Sequence, residues 1–353
     1  MLKNLSGKTG RFCSTAVLAI GFGLVGCTST PKASNSTPES PSATQSPAAN
    51  LPKVVATTGV ICDITKEIAQ SSIDTTCLIK PGEDPHAYQT KPEDSKAIET
   101  ANLILYAGYD HEPSIIKLIK SSSNSAPKIA VHELAVPKPL MGEHEHGEEK
   151  AEDKPHAAGE KVPDPHVWHN AQNGVRMVET IRDELIKVAP ANTQLYTTNA
   201  TKLTNDLAKI DTWIKAQIAT IPADKRKLVT THDALSYYAD AYGLEVAGAL
   251  QGVTTEEQPT AARIAELSSQ IKTAGVPIIF AETTTNPKLM ETVAREANVK
   301  ISDKELYSDE LGGPGTGADT YEGMLKTNTC VITSGLGGNC TPFAGETAPN
   351  PKP

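Results

Sequence analysis

The chain has 353 residues, with 33 basic and 42 acidic side chains and a formal net charge of −9. That balance argues against a nucleic-acid partner and suits a protein that handles cations. After the first 26 residues no run is long and apolar enough for a bilayer crossing, which takes roughly 20 residues.

Met1 to Arg11 carries Lys3, Lys8 and Arg11 and no acidic residue, and a largely apolar run from Phe12 to Gly26 follows. A basic head, a short apolar core and small residues at a cleavage point predict a secretory signal over 1–26 rather than a spanning helix. Leu24-Val25-Gly26-Cys27 resembles the lipobox of bacterial lipoproteins, which implies that Cys27 becomes the lipidated N-terminus. The alternative is an incidental cysteine inside an ordinary signal peptide. Removing three positive charges and no negative ones leaves 30 basic against 42 acidic residues, a net charge of −12. Residues 27–52 are almost wholly Ser, Thr, Pro, Ala and Asn. They hold too little apolar surface to offset ordering entropy, and are expected to form a flexible tether.

From Lys53 short β-rich runs alternate with helical patterns. Strands are expected at 53–57, 76–79, 103–107 and 128–131, and helices at 61–70, 92–100 and 113–120. The second half repeats this, with strands at 228–231, 245–250 and 276–281 and helices at 234–241, 260–273, 287–297 and 319–326. Such alternation predicts an α/β fold with parallel sheets flanked by helices. About 300 residues exceed one typical core, so two lobes are expected. Between them Tyr196, Ala200, Leu203, Leu207, Ile210, Ile214 and Ile221 fall on one helical stripe. Asn192 is placed to cap its start and Pro222 to stop it. At 1.5 Å per residue, a helix over 193–221 spans roughly 40 Å and can link the lobes. The expected division is therefore an N-terminal lobe over 53–192, the linking helix, a C-terminal lobe over 222–340 and a tail from 341.

Apart from Cys13 and Cys27, four cysteines remain: Cys62, Cys77, Cys330 and Cys340. An even count in an exported protein favours two disulfides, with three possible pairings. Proximity in sequence favours Cys62–Cys77 and Cys330–Cys340. A four-cysteine zinc site is the rival, but no Cys-x-x-Cys spacing is present and the compartment is oxidising.

Candidate metal ligands sit in Gly82-Glu83-Asp84-Pro85-His86, in Asp164-Pro165-His166-Val167-Trp168-His169, in Thr231-His232-Asp233 and in Gly317-Ala318-Asp319-Thr320. All lie at strand ends, in loops or at a helix start, where open α/β sheets collect ligands. Imidazole nitrogen and carboxylate oxygen suit a borderline cation, and four such donors complete a tetrahedron.

Taken together, GEDPHAYQTKPED, DPHVWHN, THDALSYYADAYGL and GADTYEGMLKTN resemble the cluster A-I solute-binding proteins, the zinc and manganese receptors of ABC transporters. The motifs occur in the family's order from Lys53 to about Thr333. The resemblance implies two α/β lobes, one linking helix and a metal held between the lobes. It further implies His86 and His166 as ligands from the first lobe and His232 and Asp319 from the second, with zinc preferred and manganese the alternative. His169 has no settled family role and reads as structural or outer-shell. Glu282, just past a strand end, reads as a capping or solvated carboxylate that approaches the cleft only as the less favoured alternative. The implied partners are a membrane permease and its ATPase, with the receptor itself a monomer held to the membrane by its anchor.

Residues 141–161 hold His144, His146 and His156 among seven acidic residues. Zinc-type members often carry a His- and acid-rich loop here, which implies weak auxiliary zinc binding; a merely solvated loop is the alternative.

Two other classes remain as rivals. A zinc hydrolase lacks support, because no His-Glu-x-x-His occurs and four protein ligands leave no position for water. A surface adhesin finds neither a repeat array nor an adhesive patch, although adhesion could coexist with transport.

Overall fold

The computed structural model describes residues 51–143 and 161–344. Cys27 and the histidines His144, His146 and His156 lie outside the described residues.

Val54, Val55 and Ala56 make strand β1 (Lys53–Ala56) apolar on both faces, as a parallel sheet covered by helices requires. The chain continues through α1 (Gly59–Ala69), β2 (Asp74–Cys77), α2 (Pro92–Thr100), β3 (Leu103–Tyr106), α3 (Pro113–Ser121), β4 (Lys128–Ala130) and α4 (Val131–Ala135). All four strands are parallel, in the order β2-β1-β3-β4. The chain thus leaves β1 toward one edge and returns on its other side, which places a switch point between β1 and β3. The second strand lies two residues earlier than the sequence suggested. Asp74 pairs with Lys53, and Asp74 N donates to Pro52 O at 2.9 Å, so the ladder begins there.

An antiparallel pair follows, β5 (Met141–Glu143) with β6 (Lys161–Pro163), and then α5 (Ala171–Val188) and α6 (Thr193–Ala219). Sequence reading passed over α5, although Met177, Val178, Ile181 and Leu185 are buried at helical spacing and Asn170 caps it by accepting from Gln172 N at 2.9 Å. On α6 the expected stripe of Tyr196, Ala200, Leu203, Leu207, Ile210 and Ile214 is buried throughout. Asn192 does not cap it with its side chain; its Nδ2 donates instead to Tyr196 Oη at 3.2 Å. This long helix packs against α1 and α5 from the first half of the chain.

The second half holds β7 (Lys227–His232), α7 (Ser236–Tyr242), β8 (Glu245–Gln251), α8 (Ala261–Ala274), β9 (Ile278–Ile279), α9 (Pro287–Ala297), β10 (Lys300–Ile301) and α10 (Tyr321–Gly335). β7 pairs with β8 and β9 with β10, both parallel. Phe280 N donates to Val229 O at 2.9 Å and joins the two pairs. The resulting order, β8-β7-β9-β10, repeats the first sheet's winding with its switch point between β7 and β9. Helix α10 returns to pack on α6 and α1, so apolar residues from both halves share one core with α6 running through it.

Cys62 on α1 is bonded to Cys77 at the end of β2, with Cα atoms 5.7 Å apart. Cys330 on α10 is bonded to Cys340, with Cα atoms 5.2 Å apart.

Candidate metal centre

The triplet Asp-Pro-His occurs twice and folds the same way both times. Asp84 Oδ1 accepts from His86 N at 3.0 Å, and Asp164 Oδ1 accepts from His166 N at 2.9 Å. Each aspartate closes an Asx-turn around the proline and presents the histidine two residues on. His232 arrives differently, as the last residue of β7. The fourth group is Asp309, in a segment that follows Leu306, where Leu306 N donates to Ala281 O at 2.9 Å.

These four side chains meet at one buried point: His166 and His232 are fully buried, Asp309 is 1% exposed and His86 is 3% exposed. His166 Nε2 lies 3.3 Å from the Nε2 atoms of both His86 and His232. Asp309 Oδ1 lies 3.1 Å from His232 Nε2, 3.3 Å from His166 Nε2 and 3.6 Å from His86 Nε2. All four atoms lie within 4.8 Å of one another, and a regular tetrahedron with edges of about 3.3 Å, the size of these five separations, has its centre about 2.0 Å from each vertex, the length of zinc–nitrogen and zinc–oxygen bonds.

Carboxylates behind the rings fix which nitrogen faces inward. His166 Nδ1 donates to Asp164 Oδ1 at 2.8 Å, and His232 Nδ1 donates to Glu282 Oε2. A carboxylate only accepts, so the proton sits on Nδ1 and Nε2 is left to turn a lone pair toward the centre once a cation displaces any second proton. Glu282 is fully buried; its Oε1 accepts from Thr231 N at 2.9 Å and His232 N at 3.1 Å, and its Oε2 accepts from Ser308 Oγ at 3.0 Å. Glu282 is therefore neither a helix cap nor a solvated carboxylate. It stands at the switch point between β7 and β9 and holds His232. Asp309 is held in turn, since its Oδ2 accepts from Thr284 Oγ1 at 2.8 Å. His169 Nε2 donates to Ser308 O at 2.8 Å and steadies the backbone beside Asp309, the outer role its place in the sequence suggested.

Electrostatics make the centre receptive to positive charge. Burial disfavours the imidazolium of His232, but Asp309 and Glu282 outweigh it and hold its pKa well above the usual histidine value. Burial opposes charge on His166 as well, and Asp164 and Asp309 overcome it. Burial pulls the pKa of His86 down, and Asp309 opposes it without prevailing. For Asp309 the desolvation cost is exceeded by the surrounding imidazoles, chiefly His232, and its carboxyl stays well below the ordinary range.

Asp319 stands apart from this centre. It is exposed, and its Oδ2 accepts from Gly315 N at 3.1 Å, closing the glycine-rich turn before α10. Thr320 is the N-cap of that helix, accepting from Gly323 N at 3.1 Å, so Asp319 lies just outside it and faces solvent. The carboxylate that joins His86, His166 and His232 is Asp309. Sequence reading missed it because Tyr307-Ser308-Asp309-Glu310 follows no obvious strand. The available signal was an acidic pair just after Leu306 and just before Gly312-Gly313.

One further histidine crowds the centre. His111 follows β3, at the switch point of the first sheet, and is fully buried. Its ring centroid is 4.8 Å from that of His86 and 5.6 Å from that of His166.

Two α/β halves, a through-running helix and four inward-facing donors between strand ends define a metal-binding receptor. The family model described as zinc-uptake complex component A, periplasmic, matches residues 54–335, and the chain belongs to this family. Its members are metal-binding substrate-binding proteins of transporters and not enzymes. The manganese ABC transporter substrate-binding lipoprotein PsaA of Streptococcus anginosus is 33% identical over 290 residues, covering 80% of this chain and 89% of that protein. The manganese-binding lipoprotein MntA of Halalkalibacterium halodurans is 30% identical over 284 residues, covering 80% of this chain and 88% of that protein. Among solved structures, the periplasmic zinc-binding protein TroA from Treponema pallidum superposes with a TM-score of 0.73 at 32% identity, covering 81% of this chain and 99% of that chain. No described helix is long and apolar enough to cross a membrane.

Proposed function

We propose that this chain captures zinc between its two halves, on His86, His166, His232 and Asp309, and passes it to the permease and ATPase of an ABC transporter. The lipobox-like Cys27 holds it outside the cytoplasm as a lipid-anchored monomer. The observation that carries the metal is the four-donor cluster itself: three imidazole nitrogens and one carboxylate oxygen, all within 4.8 Å of one another, in a buried pocket braced by Asp164 and Glu282. Nitrogen-rich four-coordination suits zinc, whereas manganese favours oxygen donors and more of them. His144, His146 and His156, three histidines in an acid-rich run apart from these four donors, serve as a weak outer collecting site at most.

Manganese is the second reading, favoured by the similarity to the manganese lipoproteins PsaA and MntA. The deciding experiment is the metal content of protein purified without added metal, followed by competition between zinc and manganese. Zinc at one equivalent, resisting excess manganese, is the expected result. Protein that retains manganese against zinc would transfer the site to the second reading.

A further inference from the structure

Among the described residues His111 is an imidazole packed against the four-donor centre that the centre does not use. Its ring stands 4.8 Å from His86 and 5.6 Å from His166, while the rings of His86, His166 and His232 stand 5.1–5.7 Å from one another. By position it is a fourth member of the same imidazole cluster. Among the described residues neither of its ring nitrogens has a hydrogen-bond partner, although the residue is fully buried. A buried polar group left unpaired costs about 1–3 kcal/mol, and a leucine or phenylalanine would fill the position without that cost.

The backbone also goes to some length to place it. Gly108, Tyr109 and Asp110 all have positive φ, at 91°, 50° and 57°, immediately before His111. Two consecutive non-glycine residues in the left-handed region persist only where their surroundings over-determine them. Here Tyr109 N donates to Glu133 Oε1 at 3.0 Å, and Glu112 Oε1 accepts from Thr57 Oγ1 at 2.8 Å and Ala107 N at 2.7 Å. The loop is thereby bound to both sides of the β1/β3 switch point, with His111 turned into the interior. His132 and Trp168 back it, with ring centroids 6.1 Å and 5.0 Å away. His132 has no ring contact with the centre among the described residues, whereas the His111 ring meets those of His86 and His166.

We propose that His111 is a reserve ligand: it joins the coordination shell of a cation that takes more than four donors, manganese above all, and stays outside the tetrahedron that holds zinc. This rests on the assignment of His86, His166, His232 and Asp309 as the primary ligands. Zinc is satisfied by the four donors already converging. Manganese lies at the weak end of the divalent series and prefers higher coordination, so an additional nitrogen adds to its binding far more than to zinc's. His111 thus sets how far this one site discriminates between the two metals.

The test is His111→Phe, which keeps the ring's bulk and removes both nitrogens, with manganese and zinc affinities measured by competition against a chromophoric chelator. Manganese affinity should fall at least about tenfold while zinc affinity stays within about twofold. Equal losses for both metals would make His111 a mere support of the centre and overturn the proposal, as would no loss for either. Should His111→Phe fail to fold, X-ray absorption on manganese-loaded wild type decides: four imidazoles in the first shell sustain the proposal and three refute it. Wild-type protein that binds neither metal would instead refute the primary ligand assignment, and this proposal with it.

Discussion

Glu282 grips His232 at three points: its Oε2 takes the proton of the ring Nδ1, and its Oε1 accepts the backbone N–H groups of Thr231 at 2.9 Å and of His232 itself at 3.1 Å. One oxygen therefore fixes the end of β7 and the other fixes the tautomer of its last side chain. Glu282→Gln cannot do both. If the amide oxygen keeps the backbone donors, the NH2 group faces Nδ1, and the ring must move its proton to Nε2, toward the metal. Zinc affinity should drop by about 10–100-fold, the usual effect of losing such a partner, with the far-ultraviolet circular dichroism unchanged. Affinity preserved in Glu282→Gln would show that the tautomer is set elsewhere.

The two candidate aspartates separate cleanly by mutation. Asp309→Asn removes the carboxylate among the four donors and should weaken zinc binding by more than the roughly hundredfold that a lost outer partner can cost. Asp319→Asn leaves an exposed turn able to accept from Gly315 and should change zinc affinity by less than about twofold. Calorimetric titration of both variants checks this, and a larger effect at Asp319 would restore it as a ligand.

That reversal marks what the sequence could and could not say. The three histidines were legible because each sits in a local signal: Asp-Pro-His folds its own Asx-turn, and Leu228–Thr231 is a β-rich run ending at His232. The long helix α6 was legible from its stripe, and α2 and α9 fell where their proline starts suggested. Asp309 was not legible, because nothing local orders it. It is placed by Thr284 and by a backbone bridge between Glu282 and Leu306, both of them non-local contacts. Glu282 was noticed but misjudged for the same reason, since its partners are 50 residues away in sequence. His111 carried no motif at all.

The disulfides should matter to stability and not to the site. Cys62–Cys77 and Cys330–Cys340 close short loops, with sequence separations of 15 and 10, and each is expected to contribute about 2–4 kcal/mol. None of these cysteines is among the centre's four residues. Reduction should therefore lower the thermal midpoint of the metal-free protein while leaving one zinc bound per chain below it. Zinc released on reduction at a temperature where the protein stays folded would contradict this.

Acidity should weaken metal binding from an unusually high pH downward. In the metal-free protein Asp309 and Glu282 outweigh burial and raise the pKa of His232 well above the ordinary value of 6.5. A raised folded-state pKa stabilises the protonated form, so this contribution to metal-free stability is complete below about 6.5 and is lost as pH rises through the folded value. Asp309 works in the opposite sense: its depressed pKa contributes stability above the usual carboxylate value of 3.8, and loses it as pH falls through the folded value. Zinc must displace the His232 proton, so its binding should strengthen as pH rises above about 6.5, while the empty site loses its own ion pairing. The zinc-induced rise in melting temperature should accordingly grow between about pH 6 and about pH 9. A rise that is flat over that range would mean His232 is already neutral in the empty site.

Replacing His232 with glutamate tests the choice of metal, and the structure adds a condition to that test. A second carboxylate at the centre hardens the donor set and moves it toward what manganese prefers. Position 232, however, lies directly against Glu282 and 3.1 Å from Asp309 Oδ1, both fully or almost fully buried. His232→Glu alone would set three carboxylates together where one imidazolium now balances two, and like charges at that separation in a poorly solvated pocket are strongly disfavoured. The single variant should therefore melt below wild type without metal, so that its metal affinities report that instability as well as the change of donor. His232→Glu combined with Glu282→Gln removes the surplus charge, and the glutamine amide can donate to the new carboxylate. In the double variant the zinc-over-manganese preference should narrow by at least roughly tenfold relative to wild type, or about 1.4 kcal/mol. Glu282→Gln alone supplies the control, because it weakens binding without adding an oxygen donor and should leave that ratio much closer to wild type. A ratio unchanged in the double variant would mean that donor hardness at this position does not govern the metal, and that selection lies elsewhere in the site.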